Sequence, residues 1–178
     1  DMGGPVVIHN SMANEDGSFP DDYEYRVRNT IVHELIHVAQ DNFFTNRAAA
    51  RGGWWIESTA EYLSNKFLKE TGGPSGDDRY YVRAYPDLLM TPLDEADGNK
   101  TYAYAKFYEW IDEQGFNSVA SIKRANETGD PTLSNIAGGF GDRFGEHFVG
   151  FAKDFYHGNL WTDRYAELSS VDQQLADI

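Results

Sequence analysis

"TIVHELIHVAQ", residues 30–40, places His33 and His37 four positions apart, with Glu34 directly after the first and apolar residues in most of the remaining positions. Around it Val27, Ile31, Leu35 and Val38 recur at spacings of four, four and three, which predicts a helix from Tyr23 to about Phe44. Residues four apart share one face of a helix, so both imidazoles address one point and Glu34 sits beside it. Two neutral imidazoles at that spacing make half of a tetrahedral zinc site, with the glutamate placed to act on a metal-activated water. The plainer reading is a helix whose histidines lie on the surface or are hydrogen-bonded in the core. The flanks "TIV", "LI" and "VA" predict burial of this helix. Two buried histidines and a buried glutamate without partners cost several kcal/mol, which a metal ion offsets.

The 178-residue length, with 40% apolar and 15% aromatic content, predicts a single domain over 1–178. The chain has no cysteine, so disulfides, thiolate metal sites and cysteine nucleophiles are excluded together, and any metal must be held by His, Asp or Glu. With 29 acidic against 15 basic residues, the net charge of -14 repels nucleic acid and anionic lipid, and no nucleic-acid partner is expected. No stretch approaches the roughly 18 consecutive apolar residues of a membrane span. The start "DMGGPVVIHN" lacks the basic residues and apolar run of a signal peptide. Because it opens at Asp1 and not at a methionine, we expect a processed or excised part of a longer protein, with a secreted or cell-surface location.

Outward from HELIH, "PVVIH" reads as a short strand, and the Gly- and Pro-containing "NSMANEDGSFPDD" as a loop in which Asp21 or Asp22 caps the first helix. "RGGWW" opens a second helix from Trp55 to Glu70, closed by "TGGPSG". An irregular crossing follows, "DDRYYVRAYPDLLMTPLDEADGNK". A third helix spans about Thr101 to Gln114 with Gly115 as its stop, and Asn117 or Ser118 caps a fourth that runs to Glu127. Asp130-Pro131 opens a short fifth near "TLSNIAG", and Phe144, Phe148, Phe151 and Phe155 mark a sixth, amphipathic helix to about Tyr156. The domain is expected to be mainly α with little β.

A metal site still lacks a third ligand. A metzincin would need glycine at position 40 and histidine at 43, but the chain has Gln40 and Phe43. The second helix offers "WWIESTAEY", with Glu57 and Glu61 again four apart in an apolar frame. Packed antiparallel to the first helix, it can aim Glu57 at the metal and Glu61 at a histidine ring N–H, fixing that ring's tautomer. Taken alone, the two glutamates read as a solvated helix face.

Together, "HELIH" and "WIESTAEY" resemble the gluzincin metallopeptidases, the thermolysin-like and peptidase-MA-like group. Their HExxH is followed about twenty residues later by a glutamate within a string like W-x-E-[GS]-x-A-E-[YW]; here His37 to Glu57 is 20 positions. The likeness is firm over Ile31–Leu63. It implies a zincin-like catalytic domain in which His33, His37 and Glu57 bind one zinc ion, Glu34 is the general base and Glu61 orients His33. The chain departs from the family in having only 32 residues ahead of His33, where a larger sheet is usual.

Peptide hydrolysis also needs a donor to the developing oxyanion. "TYAYAKFYEWIDEQG" is similar to the peptidase-MA-like helix that carries a tyrosine near its N-terminus, which makes Tyr102 the first choice and Tyr104 the second. Both tyrosines read equally as core aromatics. Thermolysin-like members supply a histidine instead, which keeps His147 and His157 as candidates. His9, at the end of the short strand, marks a segment that resembles the substrate-pairing edge strand of the family and reads equally as a terminal strand completing a sheet. No GxMEN-type string of the aminopeptidase branch is present, so an endopeptidase acting on peptide or protein is expected. The competing expectation is a non-catalytic binding or adhesion module that retains a zinc site.

Overall fold

The helix around HELIH runs from Tyr23 to Gln40 (α1) in the computed structural model, which describes residues 23–43, 53–73, 99–130 and 132–156. Among the described residues six more helices follow: α2 (Trp54–Glu70), α3 (Asn99–Ala103), α4 (Ala105–Glu113), α5 (Ser118–Asn126), α6 (Leu133–Phe140) and α7 (Phe144–Tyr156). The described residues are mainly helical and include no strand, and no described helix is long and apolar enough to cross a membrane. The expected strand at "PVVIH", with His9, and His157 lie outside the described residues, as does the crossing apart from its last two residues.

Local chemistry sets the helix ends. The Asn117 side chain accepts from Ala120 N at 2.9 Å to cap α5, and Thr132 caps α6 by accepting from Asn135 N at 3.3 Å. That second cap starts α6 two residues after Pro131. Gly115, at φ 83°, lets Phe116 N return to Ile111 O and stops α4.

The expected third helix is interrupted. Tyr104 accepts from Phe107 N, a three-residue closure that tightens the chain between α3 and α4. Its ring is fully buried between Trp54 and Phe148, at 5.7 and 6.5 Å.

Helix α1 packs along α2, which packs on its other side against α3 and α4; α4 in turn meets α5 and α7, and α6 fits between α5 and α7. The core is aromatic. Trp55, Tyr62, Phe107, Tyr108, Phe151 and Phe155 are all essentially inaccessible, and their rings meet mostly edge-to-face or tilted. The polar ends of these side chains are paired: Trp55 Nε1 donates to Asn126 Oδ1 at 2.9 Å, and Ser58 and Tyr108 hydroxyls meet at 3.0 Å.

The expectation that apolar flanks bury HELIH needs correction. Ile31, Leu35 and Val38 stand exposed, at 38, 59 and 58%. The buried face of α1 is the polar one, carrying Tyr25, His33 and Gln40. The reason is that α2 answers this face with hydrogen-bonding partners, not with apolar side chains.

Helices α5 and α6 approach closely enough to require glycine. A Cβ on Gly139 would lie 2.7 Å from Ser121 O and 2.8 Å from Ala125 Cβ. Gly139→Ala should therefore cost about 1–3 kcal/mol by overpacking, read as a lowered urea midpoint with the helical circular dichroism preserved. An unchanged midpoint would show that α5 and α6 are free to part.

Candidate metal centre

Helices α1 and α2 run antiparallel and are joined by a ladder of polar contacts. Tyr25 donates to Asn65 Oδ1, Asn29 Nδ2 donates to both Glu61 oxygens at 3.2 Å, and Asn65 Nδ2 donates to Glu61 Oε1 at 3.1 Å. One turn further along α1, His33 lies between two carboxylates. Its Nε2 is 3.2 Å from Glu57 Oε2 and its Nδ1 is 3.3 Å from Glu61 Oε2. His37 Nε2 is 3.4 Å from the same Glu57 oxygen, and its Nδ1 is 2.8 Å from Gln40 Oε1. The two imidazole rings meet nearly perpendicular, with centroids 4.6 Å apart.

Two ring nitrogens and one carboxylate oxygen thus converge, all within 4.8 Å of one another. Donors about 2.0–2.1 Å from a tetrahedral zinc stand roughly 3.3 Å apart, close to the 3.2 and 3.4 Å that separate the nitrogens from Glu57 Oε2. The nitrogen–oxygen donor set is also the one zinc takes when thiolates are lacking. The residues fit such an ion. The group is reachable as well, because the His37 and Glu57 side chains keep 24 and 27% exposure while His33 keeps 8%.

Electrostatics follow from this crowding. Burial of the His33 ring opposes its protonation, but hydrogen bonds to Glu57 and Glu61, with their charges, outweigh it and push the imidazole up to about 9. For His37 burial again opposes, and bonds to Glu57 and Gln40 prevail, so it too is raised. Glu57 is held well below the usual carboxylate range by hydrogen bonds from His33 and His37, against the effect of burial.

The remaining site residues divide. Glu34 follows His33 on α1 and is half-buried. Tyr102 is half-buried with its ring 5.7 Å from that of His33. Tyr104, the second choice for an oxyanion donor, belongs instead to the core, where burial raises its phenol to about 12. The two rings meet different neighbours, Tyr102 meeting His33 and Tyr104 meeting Trp54 and Phe148. His147 lies on α7 against Phe116, with ring centroids 4.4 Å apart. Asn29, Gln40 and Asn65 were not singled out from the sequence. Their only signal is position, since Asn29 and Gln40 lie four before His33 and three after His37, and Asn65 four after Glu61.

No family model, curated protein or solved structure matches the chain.

The geometry of the site makes the metal-free protein pH-sensitive. A raised His33 contributes stability that is fully present below its ordinary 6.5 and is lost as pH rises through about 9. The lowered Glu57 contributes above its ordinary 4.5 and is lost as pH falls through its depressed value. With chelator present, the melting temperature should fall between pH 6.5 and 9, with about 3 kcal/mol at stake in His33. A flat profile over that range would rule out the ion pair.

Proposed function

We propose that the chain is a zinc metallopeptidase of gluzincin type, an endopeptidase acting on peptide or protein within a zincin-like helical domain. The observation that carries this reading is the convergence of His33 Nε2, His37 Nε2 and Glu57 Oε2, with both histidines tied on their far sides. These three residues would hold the ion. Peptide as substrate is supported by the likeness of HELIH and WIESTAEY to the gluzincin pattern, and access for a substrate by the partial exposure of His37 and Glu57.

When bound, zinc supplies Lewis-acid polarisation of a carbonyl and lowers the pKa of water to about 7. The chain's own groups do the rest. The Glu34 carboxylate accepts a proton from the attacking water and returns it to the leaving amine nitrogen. The Tyr102 ring lies 5.7 Å from that of His33, and its hydroxyl donates a hydrogen bond to the carbonyl oxygen as it gains charge. Glu61, held by Asn29 and Asn65, keeps the His33 ring in plane.

Glu34→Gln should keep one zinc per chain, by metal analysis, while hydrolysis of a casein-type substrate falls about 10²–10⁴-fold. A fully active variant would sink the mechanism. Zinc uptake by the wild-type protein without hydrolysis of any tested peptide would favour a non-catalytic binding or adhesion module. Tyr102→Phe should leave zinc content unchanged and lower kcat roughly 10²–10³-fold; an unaltered kcat would remove Tyr102 from the reaction.

A further inference from the structure

Gln40 is the last residue of α1 and is 3% exposed, which is unusual for a glutamine. Every polar atom of its amide is used. Nε2 donates to Ile56 O at 3.2 Å and to Thr59 Oγ1 at 2.7 Å, both on α2, while Oε1 is 2.8 Å from His37 Nδ1.

The directions of these bonds are not interchangeable. Ile56 O is a carbonyl and only accepts. Thr59 Oγ1 donates its single hydrogen to Trp55 O at 2.7 Å, so toward Gln40 it too can only accept. Two acceptors therefore fix the NH₂ group of Gln40 on the α2 side, which leaves Oε1 as the atom that meets His37. An oxygen at 2.8 Å requires a hydrogen on Nδ1. In a neutral His37 ring the lone pair is then on Nε2, the nitrogen that faces Glu57 Oε2.

Resting on the zinc-site reading above, we propose that Gln40 is the positioning residue for His37, setting its tautomer and ring plane so that Nε2 is presented to the metal. The relay begins at the Trp55 carbonyl in the first turn of α2 and passes through Thr59 and Gln40 to the ring. His33 is held instead by the carboxylate of Glu61. The two ligand histidines are thus oriented by different chemistry, one partner anionic and the other neutral.

Gln40 also ties α1 to α2, so its role toward His37 must be separated from its role in the fold. Three proteins distinguish them: wild type, Gln40→Leu, which removes both roles, and Gln40→Glu, which keeps an acceptor on His37 but loses the donor to Ile56 O. Zinc affinity is measured by competition with a chromogenic chelator, and stability by thermal melting of the chelated protein. Both variants should melt below wild type. Gln40→Leu should weaken zinc binding by about 10–100-fold, as for other residues that orient a ligand histidine, whereas Gln40→Glu should bind within a few-fold of wild type. Equal loss in both variants, or wild-type affinity in Gln40→Leu, would overturn the proposal. The tautomer is read directly by nitrogen-15 NMR of the His37 ring in chelated wild-type protein at a pH where the ring is neutral. A proton on Nδ1 supports the relay, and a proton on Nε2 overturns it whether or not zinc binds. Zinc uptake by the wild-type protein tests the underlying metal reading separately.

Discussion

The Glu57 carboxylate, shared between His33 Nε2 and His37 Nε2 at 3.2 and 3.4 Å, is the contact on which the pairing of α1 and α2 depends. Bringing a carboxylate and two imidazoles together out of water carries a desolvation cost that only mutual pairing offsets. Removing Glu57 takes one carboxylate from the buried His33, and the partial exposure of Glu57 and His37 keeps the loss below the roughly 3–5 kcal/mol of fully buried pairs. The rest of the seam obeys the same rule. Tyr25 reaches Asn65, Asn29 reaches Glu61, and Gln40 reaches Thr59. A polar seam specifies register more strictly than an apolar one. Sliding α1 by one turn along α2 would place each donor opposite the wrong partner, whereas packed leucines tolerate such shifts at smaller cost.

Helix α2 serves two environments at once, and its sequence is arranged accordingly. Glu57, Glu61 and Asn65, at spacings of four, face α1, while Trp55, Ser58 and Tyr62 face the aromatic core. The core side is anchored at both ends by polar contacts. Trp55 is tied to Asn126 of α5, and Tyr62 donates to Asp112 of α4, which also accepts from Lys66 Nζ at 3.0 Å and from Ser118 N at 2.9 Å. The carboxylates of the site are consequently carried on an element fixed from behind, which is what holds donor atoms at defined separations.

Much of this was legible in the sequence because it depends on period and spacing. His33 and His37 at four apart, and Glu57 and Glu61 at four apart, gave the two faces that meet. The apolar residues of α1 misled because a stripe at helical period shows which residues share a face, and not what that face will meet. Ile31, Leu35 and Val38 do share one, and it is exposed. His33 and His37, which lie between them, decided the packing, because both found carboxylate partners on α2. Tyr102 and Tyr104 could not be separated by residue type. Which of them faces His33 depends on how α3 docks on α2 and on the break in the helix at Tyr104. Gln40 escaped notice for a related reason: its role lies in three bonds to residues 3, 16 and 19 positions away in the chain, and no single spacing marks it.

On the proposed reading, protons and zinc are alternative occupants of the same small volume. Without the ion, the raised His33 and His37 bring positive charge to Glu57; with it, a divalent cation replaces that charge among the same donors. In either state the Glu57 carboxylate has a cationic partner, so the docking of α1 on α2 does not wait for metal. Many small zinc domains are unfolded until the ion arrives, because no other core holds their ligands together. Here the ligands belong to two long helices, one of which is built into an aromatic core of its own. On that reading metal affinity and folding are only loosely coupled. Changes in the residues behind Trp55 and Tyr62 then bear mainly on whether the chain folds, whereas Glu57 and Gln40, which meet His37 and also tie α1 to α2, bear on both folding and how well the ion would be held.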